Sequence, residues 1–591
     1  KTFTMKNFKY LLTAALMVCA GSALSQEFKI DGINYQVSSP EDKTCTLLLA
    51  DDNVGGEIVI PSAVTYGDES YTVTKIGEYA FAGNKVTSVE IPSSVTVIAN
   101  NVFDDCTLLK SAKLPETLTS LGDYAFYNCT KLQEVNFPNS LTEVGKGPFC
   151  YCSKLPDPLY NDEFFAFLPV AYEGKYSIPE GIKTVVAYAF DKKVTEVELP
   201  NSVTTVQPYA FWNANGLEKP VYNDKIFAAL PLRYDQPYAI PEGIETIAGG
   251  AFVYCSSLPA ITIPESVTTI LTDAFCFCAS LTEVELSNNV TFVGDYAFSD
   301  CYSLTKPVMN DKIFAAVPPG TVGEYIIPDG ITTIVGGALQ DCLYLTSVVV
   351  PESVETIGRA AFMYCQKLEN VTLPSSLTAI SPGTFAMCSA LKQITLPENI
   401  TTIGYDAFYD CVNLQSLETP NSVTTIEYLA FKGCSSLKSL TLGSAMETIG
   451  AAAFIGCTDI SEIKSKNLVP PTWDEGAFDG LNKETCKVLV WKDALEDYKN
   501  DDQWSEFFNI IGVDDFDGIE SAQVADITIA ADHGCITVTG TRRGDRIAVY
   551  ALNGTLLTSA TAADGQTVVP CQTSGLVIVK CAGKAQKCRL Q

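Results

Sequence analysis

Twenty-one cysteines and a single histidine, His533, are the residues of this 591-residue sequence best suited to do chemistry. Thiolate and imidazole groups bind zinc, and both act as nucleophile or base in hydrolytic enzymes. Twelve of the cysteines, however, occupy one repeated slot, three residues after a phenylalanine or leucine anchor, as in Ala-Phe-x-x-Cys. These are Cys106, Cys129, Cys152, Cys255, Cys278, Cys301, Cys342, Cys365, Cys388, Cys411, Cys434 and Cys457. A repeated slot indicates a repeated structural environment.

The remaining motifs do not assemble a catalytic or metal site. Cys150 and Cys276 form Cys-x-Cys pairs in "FCYC" and "FCFC", but neither is accompanied by a second pair or a histidine. One histidine excludes a histidine-based metal cluster and disfavours a Ser-His or Cys-His nucleophile in the repeats. The segment "DDFDG" at 514–518 lacks the downstream glutamate of a calcium loop. The sequence therefore predicts no enzymatic activity, no cofactor and no metal.

We expect the twelve repeated cysteines to be buried thiols. In stacked coils their parallel Cα–Cβ bonds keep neighbouring Cβ atoms too far apart for ordinary disulfide geometry. Buried free cysteine behaves as a small apolar residue, and Asn84 and Ala214 fill the same slot in two other coils. A disulfide of undetermined connectivity stays open for four cysteines after the repeats: Cys535, Cys571, Cys581 and Cys588.

The elements that must position these cysteines are coils with a usual step of 23 residues. The working consensus is LxxIxLPxSVTxIGxxAFxxC. Its first part alternates as a strand does, as in "LKQITLP" at 391–397, and the proline ends that strand before a second extended piece. The anchors are Phe81, Phe103, Phe126, Phe149, Phe190, Phe211, Phe252, Phe275, Phe298, Leu339, Phe362, Phe385, Phe408, Phe431, Phe454 and Phe478.

A period of this length lies in the leucine-rich-repeat range. One coil cannot bury its leucine, isoleucine and phenylalanine side chains alone, whereas stacked coils bury them against each other. The sequence therefore predicts a mainly β solenoid of the leucine-rich-repeat type, with about nineteen coils stacked roughly 4.8 Å apart.

Three steps measure 41 residues: Phe149 to Phe190, Phe211 to Phe252, and Phe298 to Leu339. They contain the related segments "PLYNDEFFAFLP", "PVYNDKIFAALP" and "PVMNDKIFAAVP". Asn-Asp between apolar alternations predicts a hairpin turn. Two interpretations stay open: a longer coil that was duplicated, or three equivalent ligand sites.

The consensus resembles the BspA-like leucine-rich repeats of bacterial surface proteins, over roughly residues 70–480. "FKIDGINYQV" and "GEIVIPSAV" are similar to that family's N-terminal β-cap. "PPTWDEGAFDGLNKETCKVLVWKDALEDYKNDDQWSEFFNI" is similar to its C-terminal cap, which should end in a helix near 492–508. The chain is divided accordingly into a cap at 26–75, repeats at 76–480 and a second cap at 481–512. The resemblance implies adhesion or recognition at a cell surface.

Residues 1–25 have the pattern of an export signal peptide. Lys6 and Lys9 supply positive charge, an apolar stretch follows, and small residues precede Gln26. The stretch is short for a membrane span, and no other segment has eighteen uninterrupted apolar residues. A lipoprotein signal with its lipid on Cys19 is the alternative. We therefore expect an exported chain without a transmembrane span after processing.

Residues 520–591 are expected to form a separate module. Segments such as "CITVTG" and "QTVVP" alternate with turn residues and predict a small β-sandwich. "RIAVYALNGTLL" and "GLVIVKCAGKAQKCRL" also resemble the C-terminal sorting domains of the type IX secretion route of Gram-negative bacteria, although Val577 stands where that pattern prefers tyrosine. The resemblance implies a role in export, and a stalk or anchor is the alternative.

The strand face of the solenoid is the predicted ligand-binding surface. In LxxIxLP the residue between the last two apolar positions points outward, because strand side chains alternate. The ligand-face candidates are Lys113, Asn136, Glu198, Glu285, Thr372, Thr395 and Glu418, in a column shared with Glu90, Val349 and Thr441. A merely solvated sheet is the alternative.

These observations predict a protein that is secreted or held on the outer surface of a Gram-negative bacterium. The resemblance implies binding to host extracellular-matrix proteins or to other cells. A formal net charge of −30 argues against nucleic acid and anionic lipid as partners. Capture of glycans or nutrients and a purely structural spacer are the alternatives, and clustered exposed aromatic side chains would favour a glycan site.

Overall fold

The structure, a computed structural model, describes residues 26–516 and most of the tail, namely 528–532, 535–541, 546–551, 556–563, 565–571, 575–581 and 584–590. The export signal expected at 1–25, Cys19 and His533 lie outside the described residues. The chain divides into two compact units, one ending at Pro231 and one beginning at Leu232. Within the described ranges, no helix has the length and apolar character needed to cross a membrane.

Both units are built from coils, most of which carry two short strands, so the β solenoid is confirmed. Strands of one kind pair in parallel from coil to coil, as in the pairing of Thr402 with Thr425 and of Thr425 with Thr448. We call the strands from the LxxIxLP segment the first ladder and those from the SVTxI segment the second ladder.

In the first unit, the first ladder comprises Gly55–Val59, Lys85–Glu90, Ser111–Lys113, Glu134–Val135, Gly174–Ser177 and Val194–Glu198. The second ladder comprises Glu69–Ile76, Val97–Ile98, Ser120–Leu121, Glu143–Val144, Phe164–Phe167, Thr184–Val185, Thr205–Val206 and Ile226–Ala229. The N-terminal cap adds Glu27–Ile30, Ile33–Ser39, Thr44–Ala50 and Ala63–Tyr66.

In the second unit, the first ladder comprises Tyr238–Ala239, Ile261–Thr262, Gly323–Ile326, Leu345–Val349, Asn370–Thr372, Ser416–Glu418, Ser439–Leu442, Glu462–Ser465, Lys487–Trp491 and Asn509–Val513. The second ladder comprises Thr246–Ile247, Thr269–Ile270, Phe292–Val293, Ile313–Ala316, Thr333–Ile334, Thr356–Ile357, Ala379–Ile380, Thr402–Ile403, Thr425–Ile426, Thr448–Ile449 and Thr472–Trp473.

The phenylalanine anchors stack along the core of each unit. Ring centroids lie 5.0 Å apart for Phe103 and Phe126 in the first unit, and 5.2 Å apart for Phe431 and Phe454 in the second. All four side chains are buried. Because full burial of a phenylalanine contributes about 1.5–3 kcal/mol, the repeated anchor is a main source of coil stability.

The turn around each anchor uses left-handed backbone. In most coils the second residue before and the second residue after the anchor have positive φ, for example Asp406 and Asp410 around Phe408, both at 53°. Glycine, asparagine and aspartate adopt this conformation most readily. Tyrosine nevertheless occupies the position several times, as at Tyr124 and Tyr188.

The three 41-residue steps contain the expected hairpins. Their first strands are Leu159–Tyr160, Val221–Tyr222 and Val308–Met309, each antiparallel to the second-ladder strand that follows it. In the first hairpin, Asn161 is buried, and its side-chain oxygen accepts hydrogen bonds from the backbone N–H groups of Glu163 and Phe164, at 3.0 and 2.7 Å. The ring of Phe165 stacks on Phe190. The insert therefore supplies one further coil.

The cap helix expected near 492–508 is present, but it is short. The segment contains two short 3-10 helices, Lys492–Ala494 and Trp504–Glu506, around the α-helix Leu495–Lys499. The helix ends at Asn500, and the carboxylate of Asp501 accepts hydrogen bonds from the next backbone N–H groups, including that of Trp504. This restart lets the Trp504 ring reach the core, where it is fully buried.

The repeated cysteines are buried in both units. In at least ten of the twelve, the thiol donates to the anchor carbonyl of the preceding coil, as from Cys106 to Phe81 at 3.0 Å and from Cys411 to Phe385 at 3.1 Å. After the repeats, Cys535, Cys571 and Cys588 are free thiols.

The tail forms two small sheets that share one buried core. Its strands are Thr528–Asp532, Cys535–Thr541, Arg546–Ala551, Leu556–Thr561, Gly565–Pro570, Gly575–Cys581 and Lys584–Leu590. The tail also contacts the last coils of the second unit. The Lys580 ammonium donates to the carbonyl of Ser444 at 3.2 Å and to the side-chain oxygen of Asn467 at 2.9 Å.

Candidate ligand-binding face

A groove of about 880 Å³ lies on the first ladder of the first unit. Four neighbouring strands form its floor: Gly55–Val59, Lys85–Glu90, Ser111–Lys113 and Glu134–Val135. The pairing places Glu90 beside Lys113 and Glu57 beside Ser88. Because alternate side chains of a strand point to the same side, outward residues from successive coils line the groove together.

The charge of the groove is mainly negative. Of its lining residues, one is a lysine, Lys113, and five carry carboxylates, namely Glu57, Glu90, Glu116, Glu134 and Asp157. The Lys113 ammonium lies 2.6 Å from the Glu90 carboxylate. This exposed ion pair neutralises part of the charge and leaves the groove suited to a basic partner.

The Asn136 side chain links two neighbouring coils at the floor of the groove. Its side-chain oxygen accepts from the Leu114 backbone N–H at 2.8 Å, and its amide nitrogen donates to the Leu114 carbonyl at 2.9 Å. The side chain thus extends the strand ladder where backbone pairing stops, and it lines the groove at the same time.

All seven residues that the sequence selects as ligand-face candidates have exposed side chains. The structure brings Lys113 and Asn136 together in the groove. Glu198 ends the strand Val194–Glu198 in another sheet of the same unit, where it accepts hydrogen bonds from Lys175 and Ser177. The hydrogen bond from Lys175, followed by that from Ser177, lowers the pKa of Glu198.

The other four candidates lie in the second unit. Thr372 and Glu418 end first-ladder strands, and Glu418 pairs with Lys466 at 2.8 Å. Glu285 and Thr395 lie in extended segments outside the assigned strands. A smaller cavity of about 260 Å³ opens near Asn370 and Ser416 and is lined by polar side chains, but none of these four candidates lines it.

Sequence reasoning from a single column missed several lining residues of the groove. Glu57 belongs to the cap segment, and Glu134 lies two residues before the predicted position of its coil. Comparing residues one repeat apart at every outward position of LxxIxLP, rather than at one, would have found Glu134. Among the described residues, no group of three or more histidine, cysteine, aspartate or glutamate side chains could hold a metal ion.

The repeat sequence itself matches a family described as "BspA type Leucine rich repeat region (6 copies)" over five ranges, 69–164, 165–229, 236–316, 321–438 and 402–485. The chain belongs to this family. The BspA-type region thus covers most of both units and three of the four floor strands of the groove, since Gly55–Val59 lies before the first matched range. No curated protein matches the chain.

Solved leucine-rich-repeat structures are also similar to the chain. A leucine-rich cell surface protein from Faecalibacterium prausnitzii is 28% identical, with a TM-score of 0.32. The match covers 71% of this chain and 95% of that protein. A leucine-rich repeat protein from Bacteroides ovatus is 24% identical, with a TM-score of 0.29, over 76% of this chain and 100% of its own. The pneumococcal vaccine antigen PcpA is 18% identical, with a TM-score of 0.27, over 83% of this chain and 100% of its own.

Proposed function

We propose that this BspA-type protein acts at the cell surface as a binding protein and holds a protein partner along the first ladder. The observation that carries the proposal is the groove of about 880 Å³, whose floor is four paired strands. A leucine-rich-repeat solenoid is typical of binding proteins that act without catalysis, and its stacked coils offer an extended surface. A similar protein from Faecalibacterium prausnitzii is described as a cell surface protein.

The partner we propose is a protein with a basic surface, such as an extracellular-matrix protein of a host or a protein on another cell. Five carboxylates and one lysine line the groove, and the whole chain has a formal net charge of −30. Complementary charge speeds the encounter of two proteins and aligns them. Outward residues of the other first-ladder strands, including Glu198 and Glu285, would extend the contact.

The proposal is tested by surface plasmon resonance of the full chain against matrix proteins and cell-surface extracts, followed by charge reversal. We expect Glu57→Lys with Glu134→Lys to weaken the binding of a basic partner about tenfold or more, because two attractive charges become repulsive. Both side chains are exposed and lie on the groove floor.

Glu143→Lys is the matched control, since Glu143 is an exposed residue of the second ladder, in the strand Glu143–Val144. Charge reversal at Glu198 or at Glu285 extends the test beyond the groove. If every ligand found in the screen keeps its affinity through all of these reversals, the first ladder does not bind it.

We also propose that residues 520–591 direct export of the protein to the outer surface of a Gram-negative cell. Support comes from the resemblance of "RIAVYALNGTLL" and "GLVIVKCAGKAQKCRL" to sorting domains and from the compact sheets that these segments form.

A further inference from the structure

Aromatic side chains gather in the anchor turns of the first unit. They line a cleft of about 400 Å³ that shares no lining residue with the groove on the first ladder. We call it the aromatic cleft, and its main lining residues are Tyr124, Tyr127, Tyr151, Tyr188, Trp212 and Asp104. These residues come from five successive anchor coils, those of Phe103 to Phe211.

Tyr127 stands at right angles to two neighbouring rings of the cleft, whereas Tyr124 and Tyr188 are tilted at 42°. Tyr127 is perpendicular to Tyr124, at 90° with centroids 5.7 Å apart, and to Tyr151, at 87° and 5.2 Å. In such an edge-to-face pair, the ring that directs its edge at the neighbour keeps both of its own faces uncovered by that neighbour. Each ring face carries the negative end of the aromatic quadrupole.

Space for the cleft depends on Gly147. This residue occupies the left-handed position in the coil between those of Tyr124 and Tyr188, with φ at 49°. A Cβ atom there would lie 3.0 Å from Cδ2 of Tyr188 and 3.2 Å from Cε1 of Tyr124. Both tyrosines have positive φ themselves, which is uncommon for a bulky side chain.

The charge of the cleft comes from Asp104. Its Oδ1 atom is buried and has no hydrogen-bond partner among the described residues. None of the described residues that line the cleft is a lysine or an arginine. Burial, with a smaller contribution from the charge of Asp105, raises the pKa of Asp104 to about 6. A carboxylate in this position lacks the cation that would stabilise it.

We propose that the aromatic cleft binds the head group of an organic cation, namely a quaternary ammonium. Ring faces attract such cations, most strongly when several faces surround one site, and Asp104 adds a full negative charge at the cleft. An anionic ligand would be repelled by that charge. Aromatic rings also stack on sugars, so a glycan is the competing ligand that the test must exclude, whereas the charge of Asp104 favours a cation over a neutral molecule.

The test compares choline with its neutral isostere 3,3-dimethylbutan-1-ol, using the full chain and isothermal titration calorimetry, with tetramethylammonium as a second cation. We expect both cations to bind and the isostere to bind about tenfold more weakly or worse, since only a cation gains from the ring faces and from Asp104. Equal binding of choline and the isostere, or binding of a monosaccharide panel in place of the cations, would overturn the proposal.

Two matched pairs of variants locate the site. Asp104→Asn should weaken choline binding about tenfold, whereas Asp105→Asn, the same change at the adjacent exposed carboxylate, should leave it within about twofold. Tyr127→Leu should weaken binding, and Tyr127→Phe, which keeps the ring, should not. Choline binding that is unchanged in both Asp104→Asn and Tyr127→Leu would place the cation elsewhere. Reversal of Glu57 and Glu134 should not affect choline, so this test is independent of the groove.

Discussion

At the scale of single residues, the buried cysteines show how one residue type fills the same position in twelve coils. Each thiol fills a small apolar space and, in at least ten coils, donates to the anchor carbonyl of the preceding coil. The contact therefore joins successive coils without a covalent bond. Burial raises the pKa of Cys411 to about 12, and a protonated thiol is a poor nucleophile.

Cys411 provides a direct test of this role. We expect Cys411→Ser to lower the free energy of unfolding by about 1–2 kcal/mol, because the hydroxyl is costlier to bury than the thiol but inherits the Phe385 carbonyl as acceptor. Urea unfolding followed by tryptophan fluorescence measures the change. In the wild type, a thiol reagent at pH 8 should label this cysteine only after unfolding. Rapid labelling of the folded protein would contradict the burial of the column.

At the scale of elements, the three inserts are coils held in place by a buried asparagine. In the second unit, the Asn310 side-chain oxygen accepts from the backbone N–H groups of Lys312 and Ile313 at 3.0 and 2.8 Å. Its amide nitrogen donates to the carbonyls of Ser287 and Val290 at 3.0 and 2.9 Å. These four bonds close the turn and fix the hairpin to the preceding coil. These contacts favour the interpretation that the three inserts are alike because each is a copy of one longer coil, rather than a ligand site.

We expect Asn310→Ala to destabilise the second unit by about 2–4 kcal/mol, because buried backbone groups lose their partners. Hydrogen exchange of the Lys312 and Ile313 amides should accelerate at the same time. Asn288→Ala is the control, since Asn288 also links two coils, by two hydrogen bonds to Asp311, but is exposed. If Asn288→Ala destabilised the protein as much as Asn310→Ala, burial of the asparagine would not explain its contribution to stability.

At the scale of the whole molecule, the two sheets of the tail belong to the second unit and pack on its last coils. Tyr550 and Ile578 contact Val469, and the Tyr550 hydroxyl lies 3.2 Å from the Glu447 carboxylate. Burial lowers the pKa of Lys580 to about 8, although the charge of Glu447 opposes the shift. The contact joins two parts of the chain that the sequence pattern treats as independent.

Removal of residues 520–591 tests whether the tail is needed for export or only packs on the solenoid. We expect the truncated protein to fold and to keep its ligands, because Trp504 and Tyr498 of the C-terminal cap are buried and pack on Trp473 and Ser465 of the last coils. If the tail is a sorting domain, surface labelling of intact cells should fall sharply while periplasmic protein accumulates. Lys580→Ala, which loosens the contact but keeps the tail, should reach the surface normally. Undiminished surface labelling of the truncation would leave the tail as a stalk or anchor.

The sequence by itself determined the coil, the burial of the anchors and cysteines, and the hairpins of the inserts. Each of these follows from side-chain alternation or from residues one repeat apart, which adjacent coils must bring together. Only the tertiary structure decided which outward residues meet in the groove, how Tyr124 and Tyr188 approach across Gly147, where the cap breaks into short helices, and that Lys580 reaches Ser444. These features depend on side chains that vary from coil to coil and on contacts between residues that are not one repeat apart. The repeat pattern therefore cannot predict them, and their positions follow from three-dimensional packing.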